Sequence, residues 1–235
     1  MVAAGACWLA PGVHRLTNAL LEYFNHNNGR LIHKWHHYFE IYDRHFRHLR
    51  DKPATIIEFG VFHGGSLQMW KQYFGPQAQI IGVDINPACQ SLEEDQITIE
   101  IGDQEDRHFL RELCDVYGPF DLVIDDGGHT MPQQINTFEV VYPNVKADGV
   151  YLVEDLLTSY RPNFNGGLRR PGTFIEYSKN LIDKLHAWHS HEPDIFAVDD
   201  FTRTTFGLHY YDSVLVIERR PIEAPRHSKT GNPSF

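Results

Sequence analysis

The stretch Pro119-Phe-Asp-Leu-Val-Ile-Asp-Asp-Gly-Gly-His129 joins a short apolar run to two acids, two glycines and a histidine. A run this short, apolar on consecutive positions and ended by a turn, predicts a strand buried on both faces of a parallel sheet. Similar runs flank it: Thr55–Gly60, Gln79–Asp84 and Ile97–Ile101 before, and Gly149–Glu154 after. Helical patterns fill the gaps at Gly65–Phe74, briefly after Pro87, at Glu105–Tyr117 and at Pro132–Tyr142. Five β-α steps predict a doubly wound α/β sheet, whose ligand crevice lies beyond the carboxyl ends of the strands.

Outside that core the pattern changes. From Val13 to Arg50 apolar and aromatic residues recur every three or four positions, and Asn25–Gly29 breaks the segment into two helices. After the fifth strand, Leu156–Pro171 is rich in Asn, Gly, Arg and Pro and precedes a helix from Thr173 to Trp188. A loop of that length predicts a functional lid, here an acceptor lid over residues 156–190. Thr204–His209 and Ser213–Arg219 predict a closing hairpin, and the polar tail at 221–235 is expected to be disordered. Residues 1–220 read as one domain.

The 235 residues are 42% hydrophobic and carry a net charge of −10, enough apolar material for one core and the wrong sign for a general phosphate-backbone binder. Nucleic acid is therefore not expected as a partner. Cys7, Cys89 and Cys114 are scattered without metal or disulfide spacing, and no run is apolar enough to span a membrane, so a cytoplasmic location is expected. The 15 histidines include the clusters His33–His37 and His186–His191, which read as helix surfaces because no zinc motif accompanies them.

Acids mark the ends of successive strands. Glu58 lies in the first strand's exit, which continues Gly60-Val-Phe-His-Gly-Gly-Ser66 into a helix; Asp84 ends the second strand, and Asp103 follows the third. Phe62 stands where a dinucleotide fingerprint needs its second glycine, which counts against a nicotinamide cofactor. An acid placed for a ribose diol, another for an adenine amino group and a third for a positive centre describe a nucleoside carrying a cation, as S-adenosylmethionine does. The alternative is that each acid caps the next helix. Asp125-Asp126 and Glu154-Asp155 at neighbouring strand ends need a cation or a proton to share one crevice, which predicts a hard divalent ion with His129 beside it.

With EFGVFHGGS, GVDI, GDQED, IDDGGH and YLVEDLLTSY in place, and LIHKWHHY upstream, the chain resembles class I S-adenosylmethionine-dependent methyltransferases. More narrowly, it resembles the metal-dependent sugar O-methyltransferases of macrolide biosynthesis, over about Leu31 to Arg219. The resemblance implies a Rossmann-like seven-stranded sheet with an antiparallel last hairpin. It implies Asp126, Glu154 and Asp155 as Mg²⁺ ligands, with His129 as general base and Asp126 as its catalytic companion. It implies that Glu58, Gly60, Ser66, Asp84, Asp103, Gln104 and Asp125 surround the cofactor while Lys34 and Tyr38, from the helix before the sheet, close over it. The macrolide enzymes have more chain than this, so a homo-oligomer stays open.

A neutral sugar hydroxyl is a poor nucleophile, and a cation beside it together with a histidine base would remove its proton. The expected partner is a small-molecule or glycoconjugate acceptor. Three alternatives remain: methylation of a catechol or other phenol, whose vicinal hydroxyls would chelate the same ion; the related branch, which the chain also resembles, of cephalosporin-biosynthesis and rhamnosyl O-methyltransferases; and a non-catalytic module that binds S-adenosylmethionine without using it.

Overall fold

In the computed structural model, which describes residues 18–235, two short helices lead into a seven-stranded sheet. α1 (Ala19–His26) is capped by Asn18, whose side-chain oxygen accepts from the N–H groups of Leu20 and Leu21, and α2 (Tyr38–Phe46) follows a loop. The alternating core is β1 (Ala54–Phe59), α3 (Gly65–Phe74), β2 (Ala78–Asp84), β3 (Ile97–Ile101), α4 (Arg107–Tyr117), β4 (Phe120–Asp125), α5 (Met131–Val141) and β5 (Val145–Val153). Then come α6 (Phe174–Leu185), α7 (Asp200–Thr204), β6 (Thr205–Tyr211) and β7 (Val214–Arg219). The strand order is β3-β2-β1-β4-β5-β7-β6. The first five strands pair in parallel, and β7 runs antiparallel between β5 and β6. This is the predicted doubly wound sheet with an antiparallel closing hairpin, and its direction of winding reverses between β1 and β4.

Alternation along each strand divides the core between the two faces. Ile56, Ile80, Leu122, Leu152 and Val216 pack with α1, α2 and α3, whereas their neighbours Ile57, Ile81, Val123, Val153 and Leu215 pack with α4, α5 and α6. Both sets are buried, which is why the runs are apolar at consecutive positions; each such side chain stabilises the fold by roughly 1.5–3 kcal/mol.

The structure departs from the sequence-based elements in several places. The break between the first two helices is wider than expected, so His33–His37 lie on the loop that enters α2 and not on a helix surface. Residues 13–17 of the predicted first helix, and Cys7, lie outside the described residues. The helix after Pro87 is a 3₁₀ turn, Pro87–Leu92, and β5 begins earlier, at Val145. The segment after β5 contains two more 3₁₀ turns, Leu156–Tyr160 and Pro162–Phe164; α6 stops at Leu185, short of the second histidine cluster. No helix or strand follows Arg219. Cys89 and Cys114 are free and buried, and among the described residues no helix is long and apolar enough to cross a membrane.

Candidate active site

A cavity of about 510 Å³ opens at the carboxyl ends of β1, β2 and β4, where the sheet reverses its winding. That volume suits a small-molecule site. The turn after β1 forms its floor. Gly60 has φ +95°, and a Cβ there would lie 2.0 Å from the carbonyl oxygen of Asp126, so the turns after β1 and β4 touch only because position 60 has no side chain. Position 127 is equally tight, since a Cβ would meet Gln104 Oε1 at 2.0 Å.

The predicted cofactor residues divide into two groups. Gly60, Ser66, Asp84, Asp103 and Gln104 line the cavity, as does Lys34. Asp84 Oδ2 accepts from the backbone N–H groups of Val61 and Phe62 at 2.9 and 3.0 Å, and Oδ1 accepts from Asn86 N–H at 2.9 Å. It therefore shapes the β1–α3 turn as well as facing the cavity. Asp103 Oδ1 accepts from Glu105 N–H at 2.8 Å, a local turn ahead of α4, whose cap is Asp106 and not Asp103. Glu58, Asp125 and Tyr38 stand behind the lining. Glu58 is fully buried and takes the Ser66 hydroxyl at 2.8 Å. Asp125 is held by Gln104 and Tyr151, and burial, opposed by the Gln104 hydrogen bond and reinforced by the Asp126 charge, pushes its carboxyl up to about 7.

The acids meet as two constellations. Asp126, His129 and Asp155 each offer one donor atom within 4.8 Å of the others. His129 Nε2 lies 3.7 Å from Asp126 Oδ1 and 3.6 Å from Asp155 Oδ2, while its buried Nδ1 has no hydrogen-bond partner. His129 and Asp155 both adopt left-handed backbone, φ +57° and +52°, an unfavourable conformation for residues with a Cβ that is concentrated at functional sites. Asp155 is fixed further by the Tyr38 hydroxyl, which donates to its Oδ1 at 2.7 Å.

Glu154 belongs to the second constellation. Its side chain is not one of those three donors; it receives Lys34 Nζ at 3.0 Å and the Tyr42 hydroxyl at 2.6 Å. Lys34 also donates to Asp126 and lies 3.5 Å from Glu58 Oε1. It enters from the loop before α2, not from a helix as expected. Burial opposes its charge, but the Asp126, Glu154 and Glu58 carboxylates outweigh burial and hold the ammonium well above its ordinary range. Burial and the Asp126 charge push the Glu154 carboxyl up, against Lys34 and Tyr42. Lys34 thus balances part of the negative charge that Glu58, Asp126 and Glu154 gather at these strand ends.

Residues 57–156 match the family described as "Methyltransferase domain". The chain carries a methyltransferase domain. It spans about half the length of the curated relatives it matches. The 8-demethyl-8-(2-methoxy-alpha-L-rhamnosyl)-tetracenomycin-C 3'-O-methyltransferase of Streptomyces olivaceus is 39% identical over 198 residues, 79% of this chain and 50% of that one. The demethylmacrocin O-methyltransferase of Streptomyces fradiae is 36% identical over 229 residues, 93% of this chain and 55% of that one. Among solved structures, the mycinamycin-pathway methyltransferase MycE in complex with Mg and SAH shares 34% identity at a TM-score of 0.76, over 87% of this chain and 54% of that chain. The constellations of this methyltransferase domain lie within the matched span except for Lys34, Tyr38 and Tyr42, which α2 and the loop before it add.

Sequence reading missed several contributors to the methyltransferase domain's site, His33 among the cavity lining included. Tyr42 binds Glu154, Gln134 Nε2 donates to the Glu154 carbonyl at 3.0 Å, and Gln133 lines the cavity. Tyr42 lies one helical turn beyond Tyr38, and that spacing was the available signal. No residue after Asp155 lines the cavity; Leu156–Tyr160 touches the site through Thr158, whose hydroxyl donates to the His129 carbonyl at 3.0 Å.

Proposed function

We propose that this protein transfers the methyl group of S-adenosylmethionine to a hydroxyl of a sugar or glycosylated natural product, with Mg²⁺ held by strand-end carboxylates. The observation that carries the reading is the meeting of Asp126, His129 and Asp155 beside the cavity at the sheet's switch point. Chains 35–39% identical to this one are O-methyltransferases by name, three of them of rhamnosyl- or olivosyl-bearing compounds, and the solved relative that holds Mg and SAH shares the fold. Gly60, Ser66, Asp84, Asp103 and Gln104 would receive the nucleoside; Glu58 and Asp125 would support the lining from behind.

The donor set fits a hard divalent ion, since Asp126 and Asp155 offer carboxylate oxygens to the same space. Asp126 and Asp155 would hold it. Glu154 would complete the predicted trio once Lys34 releases its Oε2, and Tyr42 would keep that carboxylate aimed. When bound, the ion supplies positive charge beside the acceptor hydroxyl, and S-adenosylmethionine supplies the electrophilic methyl group. His129 takes the hydroxyl proton at Nε2, where the flanking Asp126 and Asp155 carboxylates stabilise the imidazolium. Tyr38 orients Asp155 through its hydroxyl. The segment 156–190 would admit the acceptor from the Thr158 side.

Calorimetry with S-adenosylmethionine, followed by methyl-transfer assays on deoxysugar-bearing macrolides and on catechols with and without Mg²⁺, tests the proposal. Binding together with Mg²⁺-dependent transfer to the sugar panel is expected. Preference for catechols would replace the acceptor class, transfer indifferent to chelator would remove the ion, and absence of binding would leave a module without this cofactor.

A further inference from the structure

A second group of ligating side chains lies away from the cavity, toward the C-terminal end of α2. His45, His209 and Glu218 each present one donor atom within 4.8 Å of the other two. His45 Nδ1 is 3.1 Å from Glu218 Oε1, and His209 Nε2 is 3.5 Å from Glu218 Oε2. His209 Nε2 is buried yet has no hydrogen-bond partner. We propose that His45, His209 and Glu218 form a binding site for zinc or a similar borderline transition-metal ion that fastens α2 to the β6–β7 hairpin.

The topology builds this site from three elements. Gly207, His209 and Tyr211 alternate onto one face of β6, and Glu218 pairs directly opposite Gly207, which places it diagonal to His209. α2 covers that same face, where Val214 and Val216 join its core. Position 207 tolerates nothing larger without pressing on the ring, because a Cβ there would stand 3.1 Å from His209 Nε2. Two imidazoles and a carboxylate are a common zinc ligand set, and metal–ligand lengths of about 2.0–2.1 Å put tetrahedral donors about 3.4 Å apart, which small side-chain shifts reach from a triplet already within 4.8 Å. Mg²⁺ prefers all-oxygen sites and is not the expected occupant.

Tyr211 completes the arrangement. Its hydroxyl lies 2.9 Å from His45 Nε2. Without metal, His45 donates from Nδ1 to Glu218 and accepts from Tyr211 at Nε2; with metal on Nδ1, the tautomer changes and Nε2 donates to the same hydroxyl. A phenol serves both states, as the outer partner of a ligating histidine must. The burial of His45 and the partial exposure of His209 and Glu218 leave one side open for entry and for a water as fourth ligand.

The test is independent of the methyl-transfer reading. Full-length protein carrying His129→Ala, stripped with chelator, is titrated with Zn²⁺ by calorimetry and with Co²⁺ by visible absorption. Expected is one equivalent of Zn²⁺ and the intense bands of four-coordinate Co²⁺, both lost on adding His209→Gln or, as a second variant, Glu218→Gln. Tyr211→Phe should weaken Zn²⁺ binding about tenfold or more. Unchanged Zn²⁺ stoichiometry and Co²⁺ bands in both glutamine variants would overturn the site, as would absence of binding in the His129→Ala parent.

Discussion

A lysine buried among carboxylates makes each partner depend on the others. Lys34 is 3% exposed at its side chain and balances Glu58, Asp126 and Glu154. Lys34→Met should cost about 3–5 kcal/mol in urea unfolding because it strands buried charge. Adding Glu154→Gln should recover part of that loss, and wild-type stability in the single variant would contradict the ion network. Lys34 lies 92 and 120 positions from two of its partners. Sequence pattern records periodicity over one or two turns and does not mark this lysine; only the family resemblance singled it out, to close over the cofactor and without its carboxylate partners. His129 was legible for the opposite reason: it stands three residues from Asp126 on the same turn. His129→Ala should lower turnover by roughly 10²–10⁴ while sparing S-adenosylmethionine affinity. Activity at the wild-type level would assign the proton to another group.

Whole elements are placed by contacts of a different kind. The five parallel strands were readable because burial on both faces forces consecutive apolar residues, and the helices between them kept their period. The loop before α2 was not, since aromatic residues at Trp35 and Tyr38 mimic a helical stripe while the chain is in fact bending to deliver Lys34. Beside α3, the approach to β3 is fastened by Glu94, which takes Gln68 Nε2 and Lys71 Nζ, each at 3.0 Å, and lies 3.3 Å from Arg30. Burial alone would raise the Glu94 carboxyl, but the Gln68 and Lys71 hydrogen bonds and the Lys71 and Arg30 charges prevail and hold it below the ordinary range. An acid with a depressed folded pKa stabilises the fold above its unfolded pKa and loses that contribution as pH falls through the folded one. Melting temperatures of wild type and Glu94→Gln should therefore differ at pH 6 and converge below the usual carboxylate range, near pH 4. A gap independent of pH would show that Glu94 acts through packing.

At the scale of the molecule, the cavity is assembled by the exits of the five parallel strands and by the loop before α2, so a ligand inside it bears on the cooperative unit as a whole. The acids lining it were legible one by one, from their places after strands. That Glu58 and Asp125 stand behind the wall, and that Glu154 turns to Tyr42, depended on side-chain direction, which the strand-end position does not fix. A ligand that binds only the folded state stabilises it by mass action, about 2.7 kcal/mol at a hundred times its dissociation constant. For a domain of this size that corresponds to roughly 5–10 °C in melting temperature. S-adenosylhomocysteine should produce such a shift in the wild type. Gly60→Ala, whose new methyl group would collide with the Asp126 carbonyl, should fold less stably and lose the shift, because the turn that closes the cavity floor can no longer meet the turn after β4. A full ligand shift retained by Gly60→Ala would place the nucleoside elsewhere on the sheet.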